Sequence, residues 1–356
     1  MKLLSIYLFL LGNIMLTTIN SKAQVMPVFS ELTSLPDSEG YAGMFAGVSN
    51  GRLFCLGGAN FPDKRPWEGG KKKWYDEIYM FQEGKDWVKL ADKLPSPLGY
   101  GITVSYKNQF IIVGGNHAAG FSDKVYGYEW TDGRLKMVHY PQLPVPLANM
   151  AGTLVGQLII LAGGNSSATG RAGKQCYVLD LEAIDSGWSA LPSWPGRERM
   201  LPLCAVYGGM FYLFGGETTG INSLSQHYRL ILDDAYSFKP KKVDGRWTGT
   251  WTTLSRMPKG LSAGGSPLPV LENGDVVFWG GVDALTSLHT DPLSHPGISA
   301  DVQLYNLNSD TWKYAGKKLG IAAPVTLPVV NWNGRWLYIS GEIKPGIRTN
   351  KIYELK

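Results

Sequence analysis

Leu53-Phe54-Cys55-Leu56-Gly57-Gly58 is an apolar run closed by two glycines, and it returns four times: Phe110 to Gly115, Leu158 to Gly164, Phe211 to Gly216 and Val276 to Gly281. A sixth copy, Leu337-Tyr338-Ile339-Ser340-Gly341, keeps one glycine. The last glycines of successive copies stand 57, 49, 52, 65 and 60 residues apart. Self-similarity at this period marks a repeat architecture.

Each repeat carries further features. An Ala/Gly-rich run precedes the Gly-Gly run (Ala42 to Val48 in the first copy, Gly264 to Leu271 in the fifth, Ala323 to Val330 in the sixth). A segment with an aromatic follows, at Tyr79, Tyr126, Tyr177, Tyr236, Tyr305 and Tyr353. A Trp-led segment comes last, from Trp87, Trp188, Trp251 and Trp312, and usually ends on Leu-Pro or Met-Pro. Small residues suit strands crowded around an axis, large aromatics suit the packing between neighbouring units, and proline ends strand pairing. The spacing predicts an all-β, six-bladed propeller of the Kelch type, four strands to a blade. The sixth unit lacks a fourth strand before Lys356, whereas Val28 to Pro36 ends on the same Leu-Pro. That segment is expected to pair with the last blade, close the ring and remove two sheet edges.

Composition agrees: 44 Gly, 12 Trp and 18 Tyr, with short apolar runs between turn residues. Met1-Lys2, an apolar run to about Leu16 and Ser21-Lys22-Ala23 read as a signal peptide cleaved after Ala23. The run is too short to span a bilayer. Residues 24–356 are then a single propeller domain, periplasmic or secreted, with no membrane span. Cleavage removes Lys2 and Lys22 and leaves a net charge of +3, which does not suggest nucleic-acid binding. Lys71-Lys72-Lys73 reads as a solvated loop. Cys55, Cys176 and Cys204 are expected to be buried free thiols, and no paired Cys/His spacing suggests a metal.

In an up-and-down blade the loop before the first strand and the loop after the second share a face. The residues after the glycines then form a ring there: Ala59, Asn116, Asn165, Glu217, Val282 and Glu342. A polar ring of this kind suits a small polar ligand, although each Asn can equally cap a strand end. Lys344-Pro345-Gly346-Ile347 has the form of a type II turn that folds Arg348 back towards Glu342. The pair reads equally as a structural ion pair or a site.

The stretch Ile339 to Thr349 resembles the active-site segment of the N-acetylneuraminate epimerases, the sialic acid mutarotases of the Kelch superfamily. Leu35 to Gly47 and Trp194 to Arg199 are also similar. The resemblance covers nearly the whole mature chain but in a different segment order, as in a circularly permuted member. It implies that Glu342 and Arg348 carry activity, Glu342 as general acid/base and Arg348 as holder of the sugar carboxylate. It also implies Arg199 on the ligand face, while the ring position makes Asn116 and Asn165 candidate substrate-binding residues and Glu217 a candidate second proton carrier or hydroxyl binder. The implied partner is sialic acid, with no cofactor and no metal. Where some members carry His after Ala-Gly, this chain has Gly265. Other readings are a mutarotase for another acidic sugar and a non-catalytic Kelch protein- or glycan-binding module. The loops 61–74, 218–234 and 283–300 are left without a reading, as segments that could fold over the pocket.

Overall fold

The computed structural model describes residues 26–356 apart from 222, 224 and 290. The expected signal peptide, residues 1–23, lies outside the described residues. Apolar alternation and tight Gly/Asn turns produce six antiparallel sheets arranged as blades around an axis. The first blade is Phe45–Ser49, Arg52–Leu56, Glu77–Phe81 and Val88–Lys93, from the axis outwards. Blades two to four repeat the order with inner strands Ile102–Tyr106, Ala151–Val155 and Leu203–Tyr207. Among the described residues, helix is limited to three short 3-10 turns.

The fifth blade departs from expectation. Gly264 to Leu271 does not form a strand, and the blade keeps three: Asp275–Trp279, Asp301–Asn306 and Thr311–Lys317. Pro267 and Pro269 lack the N–H groups that a ladder needs. What remains of the pairing is a bridge between Val270 and Val276, with bonds from the Val277 N–H to the Pro269 carbonyl, 2.9 Å, and from the Leu271 N–H to the Asp275 carbonyl, 2.8 Å. In the sixth blade Pro324 and Pro328 similarly move the inner strand from the expected Ala323–Val330 to Val329–Trp332. Its fourth strand is Phe29–Leu32, paired with Ile352–Leu355 from Phe29 opposite Leu355 to Leu32 opposite Ile352. The ends of the chain thus close the ring as the Leu-Pro signature suggested.

The core is six wedges, one between each pair of adjacent blades. Phe54, Phe110 and Tyr128 stack between blades one and two, while Trp279, Tyr338 and Tyr353 fill the gap between five and six. Glycine in the inner strands is a steric need. A Cβ on Gly47 would stand 2.4 Å from that of Phe110. The Trp-led strands have a second purpose. Each indole N–H donates to a backbone carbonyl at the outer edge of the preceding blade: Trp87 to Thr33, Trp188 to Pro141, Trp251 to Pro192 and Trp312 to Ser255, at 2.7–3.2 Å. Cys55, Cys176 and Cys204 are buried free thiols, and burial pushes each thiol pKa up.

Around the axis runs a closed collar of backbone bonds. Gly43 donates to Thr326, Thr326 to Ala263, Ala263 to Leu201, Leu201 to Asn149, Asn149 to Tyr100 and Tyr100 to Gly43, at 2.6–2.9 Å. All six residues have φ between 51° and 64°, five of them without being glycine. Such left-handed backbone is costly for ordinary side chains, and here each blade repeats it to aim its N–H and C=O around the ring.

Candidate functional site

Each residue that follows the glycines pairs with the residue just ahead of the collar. The bridges are Ala42–Ala59, Gly99–Asn116, Ala148–Asn165, Met200–Glu217, Ser262–Val282 and Val325–Glu342. The six therefore share one face, with the collar as its floor. In the sixth copy Ser340 takes φ +62 where the other copies have glycine. Its hydroxyl accepts the Tyr41 N–H at 2.8 Å and lies 2.7 Å from the Thr349 carbonyl, which anchors the segment that follows.

That segment is a hairpin. Glu342–Lys344 pairs with Ile347–Arg348, and Glu342 stands directly opposite Arg348. Pro345 and Gly346 make the turn, Gly346 with φ +76, as the type II reading requires. Arg348 Nη2 is 2.8 Å from Glu342 Oε2, and the guanidinium lies 4.7 Å from the Phe61 ring centroid. Arg348 Nε and Nη1 are buried without an acceptor. A buried donor left unsatisfied costs about 1–3 kcal/mol, which an anion accepting from it would relieve.

The neighbouring wall comes from blades one and two. Lys72 Nζ lies 4.0 Å from the Tyr100 ring centroid and 4.8 Å from that of Trp74. The Trp74 indole N–H donates to Asn116 Oδ1 at 3.0 Å. Tyr100 is the collar residue of blade two. Burial pushes the Glu342 carboxyl pKa above its ordinary value, while Arg348, Lys72 and the Gly346 N–H draw it part of the way back. Lys72 is pushed down to about 8 by burial and by Arg348, with Glu342 acting the other way. Tyr100 is pushed up to about 12, chiefly by burial. Beside the site a cleft of about 620 Å³ opens over blades two to four, lined by Trp74, Asn116, Asn149, Asn165, Met200 and Thr219 among others. That size suits a small ligand.

Not every expected residue meets there. Arg199 has no solvent exposure. Its guanidinium grips Asp234 at 2.9 and 2.7 Å, donates to the Gly215 carbonyl at 2.7 Å and packs against Trp194 and Tyr236. The expectation that Arg199 lies on the ligand face is corrected: its charge is neutralised inside the wall of blade four. Glu217 is on the expected ring but buried, with Oε2 bonded by Arg229 and by the Ser262 hydroxyl, both at 2.6 Å. Asn165 is also buried, its amide joined to Asn149 at 2.8 Å and to the Ser167 carbonyl at 2.9 Å. Asn116 remains partly open and holds Trp74.

Sequence reasoning missed Phe61, Lys72, Trp74 and Tyr100. The loop 61–74 has no periodicity to place them, and Lys72 sat in a run read as solvated. Tyr100 had a usable signal, since it is the one aromatic among the six collar positions. The loop 218–234 forms the hairpin Glu217–Ile221 with His227–Ile231, which brings Arg229 to Glu217. The loop 283–300 backs the site hairpin, where burial, His289 and Lys344 together push the His295 pKa down. At Gly265 a Cβ would stand 2.6 Å from Val329 Cγ2, so a side chain there would require the Val329 side chain to shift. Among the described residues no three His, Cys, Asp or Glu side chains converge as metal ligands, and no helix is long and apolar enough to cross a membrane.

A solved structure of YjhT matches with a TM-score of 0.62 at 15% identity, over 90% of this chain and 95% of that one, which supports the propeller fold. The N-acetylneuraminate epimerase of Yersinia pestis (strain Pestoides F) is 27% identical over 239 residues, 60% of this chain and 57% of that protein. That of Escherichia coli O9:H4 (strain HS) is 26% identical over 239 residues, 60% of each chain. The chain thus spans under two thirds of these relatives, a shorter match than the near-complete resemblance read from the sequence. The sequence model of the N-acetylneuraminate epimerases matches residues 15–137 and 140–288, and the hairpin 342–348 lies beyond them. With most of its length covered by that model, the chain belongs to the N-acetylneuraminate epimerase family.

Proposed function

We propose that the protein is an isomerase that interconverts the α and β anomers of N-acetylneuraminate by opening and reclosing the pyranose ring. The observation that carries this reading is the Glu342–Arg348 pair, with two buried Arg348 N–H groups lacking an acceptor. In the proposed reaction the carboxylate on the anomeric carbon accepts a charge-assisted hydrogen bond from one of these N–H groups. Glu342, with its raised pKa, removes the anomeric hydroxyl proton. As the carbonyl forms, the bond to the ring oxygen breaks and that oxygen takes up a proton. Rotation exposes the other carbonyl face, and the reverse steps close the second anomer. Atoms and charge balance without a redox partner.

The charged start and short apolar run of residues 1–23 support export by a signal peptide, and residues 24–356 are read as one domain of Kelch type. Proton NMR of the α anomer, freshly released by a sialidase, tests the reading. Faster appearance of the β anomer with wild type, lost in Glu342→Gln, is the expected result. Near wild-type exchange in a folded Glu342→Gln would sink the assignment of the base.

A further inference from the structure

The ring oxygen needs a proton donor, and Glu342 cannot both take the anomeric proton and supply this one in the same step. We propose that Lys72, on the loop 61–74, is that donor: its ammonium protonates the ring oxygen as the ring opens and its amine recovers the proton on closure. The inference rests on the anomerase reading above.

Three observations single it out. Lys72 lies close enough to the Glu342–Arg348 hairpin for its charge to act with both side chains, and its Nζ is held over the Tyr100 and Trp74 rings. It makes no side-chain hydrogen bond and no ion pair among the described residues, unlike Lys89, Lys93 and Lys259, each of which has a carboxylate partner. The charged and titratable groups facing it are Arg348, Glu342 and Tyr100. A guanidinium is no proton donor near neutrality, and Tyr100, at about 12, is a weak acid there. The Lys72 amine, at about 8, can carry or release a proton near neutrality. With Glu342 taking one proton and Lys72 giving one, the pair ends the opening step as neutral acid and neutral amine, and reclosure resets both.

The test is the exchange rate from pH 6 to 10, corrected for spontaneous exchange, in wild type, Lys72→Met and Lys72→Arg, each checked by circular dichroism. Wild type should lose rate above about pH 8 as the donor deprotonates. Lys72→Met should lower kcat about 100-fold, change KM less than about threefold, and lose the alkaline limb. Lys72→Arg keeps the charge but should be as slow as Lys72→Met. Wild-type kcat in Lys72→Met, or its recovery in Lys72→Arg, would overturn the proposal and leave the anomerase reading intact. Absence of exchange by wild type would remove both. A readout independent of turnover is peptide-level acylation of Lys72 against pH. Its reactivity should rise with a midpoint near 8, and a midpoint above about 10, as for an ordinary lysine, would also overturn the role.

Discussion

Replacing Asp234 by Ala would leave the Arg199 guanidinium in the wall of blade four without its countercharge. Two bonds of 2.9 and 2.7 Å disappear, together with the 2.7 Å bond that Asp234 accepts from the Tyr236 hydroxyl. Arg199 is fully buried and Asp234 only 16% exposed in its side chain, so water cannot readily replace the partner. Breaking a buried pair by removing one member costs about 3–5 kcal/mol. At an m-value of about 3 kcal/mol/M this lowers the urea midpoint by about 1 M or more. Removing both charges in Arg199→Met/Asp234→Ala should recover most of that loss, because an apolar chain of similar length can replace a buried ion pair with little penalty. Burial alone would push the Asp234 carboxyl up, but the Arg199 and Tyr236 bonds and the Arg199 charge outweigh it and hold the pKa below its ordinary value. The stabilisation is therefore present above the unfolded pKa of about 3.9 and is lost as pH falls through the lower folded value. Urea melts of the two single variants and the double variant, from pH 7 down to 3, measure the coupling. A loss below about 1 kcal/mol in Asp234→Ala, or abolished exchange in a folded Arg199→Met, would refute the structural role of the pair.

The acid limb of the exchange rate should fall at a pH above the ordinary carboxylate range, because Glu342 must be deprotonated to act as base and burial raises its pKa; pH–rate measurement reads this directly. Trp251→Phe keeps an aromatic ring but loses part of the indole packing and the bond to the Pro192 carbonyl, and should cost at least about 1 kcal/mol in urea unfolding without altering exchange. Deleting residues 26–33 removes the fourth strand of blade six and bares the edge at Ile352–Leu355. Size-exclusion chromatography should then show self-association.

The fold was legible because each feature recurs about every 50 to 60 residues: the paired glycines, the third-strand tyrosines, and the Trp segments ending on proline. Repetition averages out local ambiguity. The two inner-strand errors arose where proline interrupts that repetition, near Pro267, Pro269, Pro324 and Pro328. The Glu342–Arg348 pair was legible because a six-residue local turn brings them together. Lys72 and Phe61 reach the same place through a loop with no repeating pattern, so their approach depends on packing that no short-range rule encodes. Arg199 was misplaced for the converse reason. Its partner Asp234 is 35 residues away in the chain, and nothing near Arg199 reveals that its charge is already balanced.

The collar also governs how the molecule opens. Every carbonyl in it accepts from one neighbour while the adjoining N–H donates to the other, so no member can leave without uncoupling both. The amides of Gly43, Tyr100, Asn149, Leu201, Ala263 and Thr326 should therefore exchange with deuterium as one unit, at the rate of the whole ring coming apart. Tyr100 belongs to that unit, whereas Lys72 sits on a surface loop. The site should thus have a slow-exchanging floor and a faster-exchanging wall.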